Sequence, residues 1–278
     1  MKRLIGGFLT LLGVSGGTYH YARNIEPRLL QINNETIRST KIPKSYHGMK
    51  IIQFSDTHIG FHYTLEQFQE LVQTINNQSP DIVVFTGDFV DRPDTYNWND
   101  DITSILARIK APYGKFSIYG NHDHGGYGTD ILKNVMKQAG FRLLVNEHAV
   151  IEKDFDRILI AGVDDVILGS PDLQKALQHT NPDLFTVLLA HEPDFANIAK
   201  NYPIDVQLSG HSHGGQVRFP IVGHLYTPAY AQQYIQGKYE LNKENFILYV
   251  NKGIGTTRLP YRFLCKPEIH VYTLASAF

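Results

Sequence analysis

Lys50-Ile51-Ile52-Gln53-Phe54-Ser55-Asp56-Thr57-His58 is the stretch that decides the fold. A short apolar run that ends at once in a carboxylate and an imidazole reads as a buried strand with polar side chains at its carboxyl end. The pattern recurs four times. Asp81-Ile82-Val83-Val84-Phe85-Thr86 runs into Gly87-Asp88-Phe89-Val90-Asp91, and Lys115-Phe116-Ser117-Ile118-Tyr119 into Gly120-Asn121-His122-Asp123. Thr186-Val187-Leu188-Leu189-Ala190 leads to His191-Glu192, and Asp205-Val206-Gln207-Leu208-Ser209 to Gly210-His211-Ser212-His213. Between the first strands lie apolar residues at helical spacing: Leu65, Phe68, Leu71, Val72 and Ile75, then Ile102, Ile105, Leu106 and Ile109. A third stripe, Ile131, Leu132, Val135 and Met136, precedes Gly140. Strands alternating with helices predict α/β layers. Further helices are expected after Pro171 and from about Pro193. The strand-rich tail, with Phe246 to Val250 and Ile269 to Tyr272, predicts a second sheet packed on the first. Ligands of such folds gather beyond the carboxyl ends of strands, where all five clusters fall.

The 278 residues suit one large domain or two small ones, with 42% hydrophobic and 19% charged residues as in ordinary globular proteins. A formal charge of -1 gives no global field toward nucleic acid, and neither a basic stripe nor an aromatic platform is visible. No nucleic-acid partner is expected, and no protein partner is evident. The single Cys265 excludes an internal disulfide framework and a cysteine-rich zinc site. Lys2-Arg3 precede an apolar, Gly-rich run, and no charged residue appears between Arg3 and Arg23. That is a signal-type pattern of marginal spanning length. Residues 1–22 are read as an uncleaved signal anchor or a cleaved signal peptide, and the protein as membrane-associated or exported. Basic residues flank both sides of the run, so the side of the membrane stays open. Residues 23–48 read as a linker and a first strand, with Gln31 to Ser39 rich in β-branched and polar residues.

The cluster residues are hard oxygen donors and imidazoles. Asp56 and His58 are two apart, and in an extended segment both face one side. His211 and His213 share that spacing. Asp88 offers two oxygens able to bridge two cations, and Asn121 a neutral amide oxygen; His191 adds a further imidazole. This donor mixture suits Mn, Fe or Zn better than Ca. Each cluster alone is ordinary, since a Gly-Asp or Gly-Asn step after a strand usually marks a turn. The argument lies in five together at strand ends.

In this order the blocks resemble those of the calcineurin-like metallophosphoesterase superfamily: Asp-x-His, Gly-Asp-x-x-Asp, Gly-Asn-His-Asp/Glu, a lone His, and Gly-His-x-His. The resemblance covers about residues 49 to 275. It implies a four-layer αββα sandwich with two mixed sheets and a dinuclear metal site in the loops at strand carboxyl ends, with residues 49–278 as the metallophosphoesterase domain. It assigns Asp56, His58 and His213 to one cation, Asn121, His191 and His211 to the other, and Asp88 to both. His122 matches the catalytic histidine, and Asp91 the carboxylate that orients it. The segment Gly120 to Gly128 and the tail Asn251-Lys252-Gly253-Ile254-Gly255 with Pro260, Arg262 and Pro267-Glu268-Ile269 resemble a bacterial subgroup with an N-terminal export or anchor segment. That subgroup includes broad phosphodiesterases and hydrolases of UDP-2,3-diacylglucosamine.

The expected activity is hydrolysis of a phosphodiester or pyrophosphate bond by a metal-bridging hydroxide, with His122 serving the leaving oxygen. The substrate is a phosphorylated small molecule or lipid. Two alternatives stand beside it, a phosphomonoesterase or protein phosphatase, and a non-catalytic scaffold on the same fold. Arg92, His124, Tyr127, Arg258 and Arg262 are further candidates to line the site, and Gly214-Gly215 to leave it open. Arg92 stands where phosphoprotein phosphatases of the superfamily hold phosphate, but Pro93 replaces their glycine.

Overall fold

The computed structural model describes residues 15–98, 100–124, 129–241 and 246–277. Two six-stranded sheets form its centre. The first has β1 (Gln31–Ser39), β14 (Glu268–Ser276), β2 (Lys50–Phe54), β3 (Ile82–Phe85), β4 (Lys115–Ser117) and β5 (Phe141–Leu143), side by side in that order. Only β14 and β2 run antiparallel in it. The second has β12 (Gly237–Glu240), β13 (Ile247–Val250), β9 (Val206–Ser209), β8 (Thr186–Leu189), β7 (Asp156–Gly162) and β6 (Glu147–Lys153). Its two outer pairs are antiparallel and its three inner pairs parallel. A small ribbon of β10 (Arg218–Phe219) and β11 (Gly223–His224) stands apart.

Three apolar layers hold the sandwich. Ile51, Ile82 and Val84 of the first sheet meet Ile160, Val187 and Leu208 of the second, all essentially inaccessible to water. On the far face of the first sheet, Ile52, Val83 and Phe85 pack against α1 (Leu65–Asn77), α2 (Asp100–Ala107) and α3 (Thr129–Gln138). Strands that are apolar on both faces are thus covered on both, as the continuous runs require. Each such side chain contributes about 1.5–3 kcal/mol when fully buried. Thr64 starts α1 with a capping box, accepting from the Gln67 amide while the Gln67 side chain accepts from the Thr64 amide.

The outer face of the second sheet is covered more thinly. Two helices expected there each amount to one turn, α4 (Leu173–Ala176) and α5 (Ala196–Ala199). Pro193 and the 3₁₀ turn it opens limit the second, and irregular loops do the rest of the covering. The four-layer αββα arrangement is complete.

The N-terminal part is fastened to the body. Residues 15–20 are helical, the helix continues to Arg28 as tighter and looser turns, and β1 then pairs in register with β14. The apolar run up to Val14 lies outside the described residues. Among those described, no helix is long and apolar enough to cross a membrane.

Candidate metal centre

The five loops after β2, β3, β4, β8 and β9 meet at one end of the sandwich. Asp56, His58, Asp88, His191, His211 and His213 are all buried. Ligand-capable atoms of Asp56, His58 and His213 lie within 4.8 Å of one another, as do those of Asp88, His191 and His211. His58, Asp88 and His122 form a third such group, so Asp88 stands between two clusters.

The backbone differs here from the extended form expected at Asp56-Thr57-His58 and Gly210-His211-Ser212-His213. Asp56, His58, Asp88, His211 and His213 all have positive φ, between 42° and 66°. Left-handed backbone is uncommon outside glycine and costs energy, so the surrounding contacts hold it. The Asp56 amide donates to the Gly87 carbonyl at 2.9 Å and the His58 amide to the Asp88 carbonyl at 3.2 Å. Strand alternation therefore does not aim these side chains; two doubled-back loops do.

Hydrogen bonds to oxygen fix the ring tautomers. His191 Nδ1 lies 2.6 Å from the Thr86 carbonyl and His211 Nε2 lies 2.9 Å from that of Ala229. A carbonyl only accepts, so those nitrogens carry hydrogens. In neutral rings His191 Nε2 and His211 Nδ1 are then bare, and they face each other at 3.2 Å. Asp88 Oδ2 stands 3.2 Å from the same His191 nitrogen. Likewise His58 Nδ1 donates to Asp91 Oδ1 at 3.1 Å, and His58 Nε2 faces His213 Nε2 at 3.0 Å. Two lone pairs so close repel unless a cation or proton lies between them. Asn121 Oδ1 is buried without a hydrogen-bond partner among the described residues. Convergent imidazoles, shared carboxylates and an orphaned amide oxygen fit a pair of divalent cations.

The electrostatics agree with a cation site. Burial pushes the His211 imidazole down to about 3, and the neighbouring His191 adds to the effect. Burial and then His58 hold His213 well below the usual range. Both rings are therefore neutral donors. Burial would also lower His191, but the Asp88 carboxylate outweighs it and raises the ring well above its ordinary value. Burial would raise Asp88, but His191, His122 and His58 hold it well below the carboxylate range.

Asp91 sits in the cluster with a different partner from the one expected. Its carboxylate accepts from His58 Nδ1 and from Thr257 Oγ1, each at 3.1 Å. His122 Nδ1 donates instead to the Asp91 main-chain carbonyl at 2.7 Å, 3.8 Å from the carboxylate oxygen. The His122 amide donates to Asp88 Oδ1 at 2.9 Å. Burial lowers His122, but Asp88 and Asp91 outweigh it, so its affinity for a proton is raised.

Asp123, the last residue of the Gly120-Asn121-His122-Asp123 cluster, has a role that its sequence position alone does not reveal. Its buried carboxylate accepts from the amides of Asp88, Phe89 and Gly120 at 2.8–2.9 Å, pinning the β3 and β4 loops together. Burial and the nearby Asp88 push its carboxyl up to about 7. The signal for it was its position next to Asn121-His122.

A cleft of about 70 Å³ opens over the cluster, lined by Asp88, Asn121, His122, Gln216, Tyr226 and Arg258 among others. Arg258 lies over the Tyr226 ring at 4.9 Å. Arg92 borders a recess on the other side of His122. Arg262 does not line the site. It is fully buried, and its guanidinium donates to the carbonyls of Lys252, Gly253, Gly255 and Cys265. His124 is occupied by Asp164 Oδ1 at 2.7 Å and is absent from the cleft lining. Gly215 borders the cleft, while Gly214 gives close packing, since a Cβ there would stand 2.8 Å from Cys265 Sγ. Tyr127 lies outside the described residues. Gln216, Tyr226 and Thr257 come from loops without periodicity and carried no sequence signal.

A family profile described as calcineurin-like phosphoesterase matches residues 49–215. The uncharacterized metallophosphoesterase YkuE of Bacillus subtilis is 44% identical over 99% of this chain and 96% of its own. UDP-2,3-diacylglucosamine pyrophosphatase LpxG of Chlamydia trachomatis is 29% identical over 94% of each chain. Phosphodiesterase YaeI of Escherichia coli is 29% identical over 81% of this chain and 82% of its own.

Proposed function

Since the chain belongs to the calcineurin-like phosphoesterase family, we propose that this metal-dependent phosphoester hydrolase cleaves a phosphodiester or pyrophosphate bond in a lipid-linked substrate. The observation that carries the chemistry is the convergence of His191 Nε2 and His211 Nδ1, 3.2 Å apart beside Asp88, a spacing that calls for a positive charge between them. Asp56, His58 and His213 would hold one cation, Asn121, His191 and His211 the other, and Asp88 both. When bound, the cations supply an acidified water and counter-charge for the phosphoryl oxygens.

The remaining work falls to the chain's own groups. His122 is held through Nδ1 by the Asp91 carbonyl, which leaves Nε2 for the cleft it lines. A proton carried there can pass to the leaving oxygen. The Asp91 carboxylate orients His58, with Thr257 bracing it. Arg258 supplies positive charge at the cleft wall for a second phosphate or other anionic part of the substrate.

The likeness to a UDP-2,3-diacylglucosamine pyrophosphatase and to a phosphodiesterase supports the substrate class. The apolar N-terminal sequence, fused to a helix packed on the body, supports attachment to a membrane. Metal titrated back into apoprotein should restore turnover of bis(p-nitrophenyl) phosphate and UDP-2,3-diacylglucosamine. Turnover of monoesters alone would sink the diester reading. An Asn121→Ala protein that folds but keeps full activity would sink the assignment of the site.

A further inference from the structure

We propose that the β10–β11 hairpin is a membrane-inserting loop that seats the mouth of the cleft on an anionic bilayer. The hairpin tip is Phe219-Pro220-Ile221-Val222. Ile221 is fully exposed and Val222 is 70% exposed. Leu225, Leu259 and Leu264 beside them are more than half exposed. Ile221 also has φ +70°, and the Val222 amide donates across it to the Pro220 carbonyl at 2.8 Å. That is a strained three-residue turn, and a β-branched residue is the poorest choice for left-handed backbone. Neither turn chemistry nor contact with water favours isoleucine there; transfer into an apolar phase does.

The hairpin is continuous with the N-terminal segment. Phe219 packs on Phe263 at 5.9 Å between ring centroids, and Arg218 donates from its amide to the Phe263 carbonyl. On the other side of that loop, Tyr21 meets Phe263 at 6.5 Å and Tyr19 meets Tyr261 at 5.6 Å. The Arg262 amide donates to the Ala22 carbonyl, and the Glu26 carboxylate accepts from the amides of Leu264 and Cys265. The helix that follows the apolar sequence Leu4-Ile5, Phe8-Leu9 and Leu11-Leu12 is therefore packed on the body beside the hairpin.

Charge points to the same occupant. No Asp or Glu occurs in residues 206–239, 251–267 or 15–25, the three stretches that build this face. Arg23 and Arg258 are exposed on it. Glu26, which touches the same loop, is buried, and an apolar tip rimmed by exposed cations fits the interface of an anionic bilayer. Gln216, Tyr226 and Arg258 flank this surface and also line the cleft, so a lipid-borne phosphoester would reach the cluster without leaving the membrane plane. This deepens the lipid-substrate reading above and rests on it for the substrate alone.

The test uses the full chain and phosphatidylglycerol vesicles. Trp emission in an Ile221→Trp protein should be quenched by brominated acyl chains, while Trp98 emission of the parent is not. An I221D/V222D protein should turn over vesicle-borne UDP-2,3-diacylglucosamine at least about tenfold more slowly, because two apolar insertions are lost. Its turnover of soluble bis(p-nitrophenyl) phosphate should be unchanged. Val150→Asp, at an exposed apolar position on β6, should alter neither. Absence of quenching, or equal vesicle turnover by I221D/V222D, overturns the proposal. So does a lipid-free dimer that I221D/V222D abolishes, which would make the tip a self-association surface. Failure of the parent to hydrolyse either ester would remove the phosphoesterase reading, and the quenching would still decide the hairpin.

Discussion

His122 and Asp91 separate two jobs that one motif places side by side. The Asp91 carbonyl fixes the His122 ring, and the Asp91 carboxylate fixes His58. A main-chain acceptor survives any side-chain substitution. Asp91→Ala should therefore spare the His122 tautomer and weaken cation binding at the His58 side, by roughly 10- to 100-fold for a lost orienting partner. Metal titrations on the variant check this, and unchanged affinity with lost activity would restore the carboxylate to His122. His122→Ala should keep its metal content and lose about 10²–10⁴ in kcat. If the ring serves the leaving oxygen, the loss should be smallest for p-nitrophenyl esters and largest for alkyl esters, whose alkoxide needs the proton. Equal losses across leaving groups would place His122 in positioning alone. Motif spacing made both residues visible in the sequence, but it cannot tell a carbonyl oxygen from a carboxylate oxygen of the same residue.

The elements that matter are the turns just past the strands. Apolar runs of four to six residues announced the strands, since a strand covered on both faces cannot carry polar side chains. The polar clusters after them announced a common edge. The path of the backbone within those turns was not legible, because a period of two describes extended chain and five of the cluster residues are left-handed. Gly87 shows how tightly the turns nest. It has φ +98°, and a Cβ there would stand 2.6 Å from His191 Nδ1 and 2.7 Å from the Gly120 amide. Gly87→Ala should lower stability by roughly 2–4 kcal/mol, combining backbone strain with displacement of His191. It should also reduce metal content, and calorimetry beside metal analysis checks both. Arg262 teaches the converse. A basic residue near the tail looked available to substrate, yet it ties four carbonyls of the 252–265 strap from a fully buried position. Arg262→Met should cost about 3–5 kcal/mol, because four buried carbonyls lose their charged donor.

At the scale of the molecule, two connections join parts that are distant in sequence. One is Glu268, whose carboxylate takes hydrogen bonds from Asn33 of β1, the Lys252 amide and His270, and pairs with the Lys252 ammonium at 2.8 Å. Burial would raise its pKa, but His270 and Lys252 outweigh that and hold it at about 2. A depressed carboxyl stabilises the fold above its unfolded value near 4.5 and loses that contribution as pH falls toward 2. The shift corresponds to on the order of 3 kcal/mol. Glu268→Gln should lower stability at pH 7 and flatten the acid limb of the stability profile between those values; an unaltered limb would assign acid sensitivity elsewhere. The other connection is the cation pair. Asp56, Asp88 and Asn121 follow strands of the first sheet, while His191, His211 and His213 follow strands of the second. Ions held between them would bolt the two sheets together at one end. Each cation at a hundredfold excess over its Kd adds about 2.7 kcal/mol to the native state. In a chain of this length the pair corresponds to a rise in Tm on the order of 10 °C. Chelation should therefore lower Tm by that amount and manganese or zinc restore it, whereas in a His191→Ala protein the response should shrink by about half, as one ion is lost. A chelator that abolishes activity and leaves Tm unmoved would mean that the ions sit on one sheet and do not join the two.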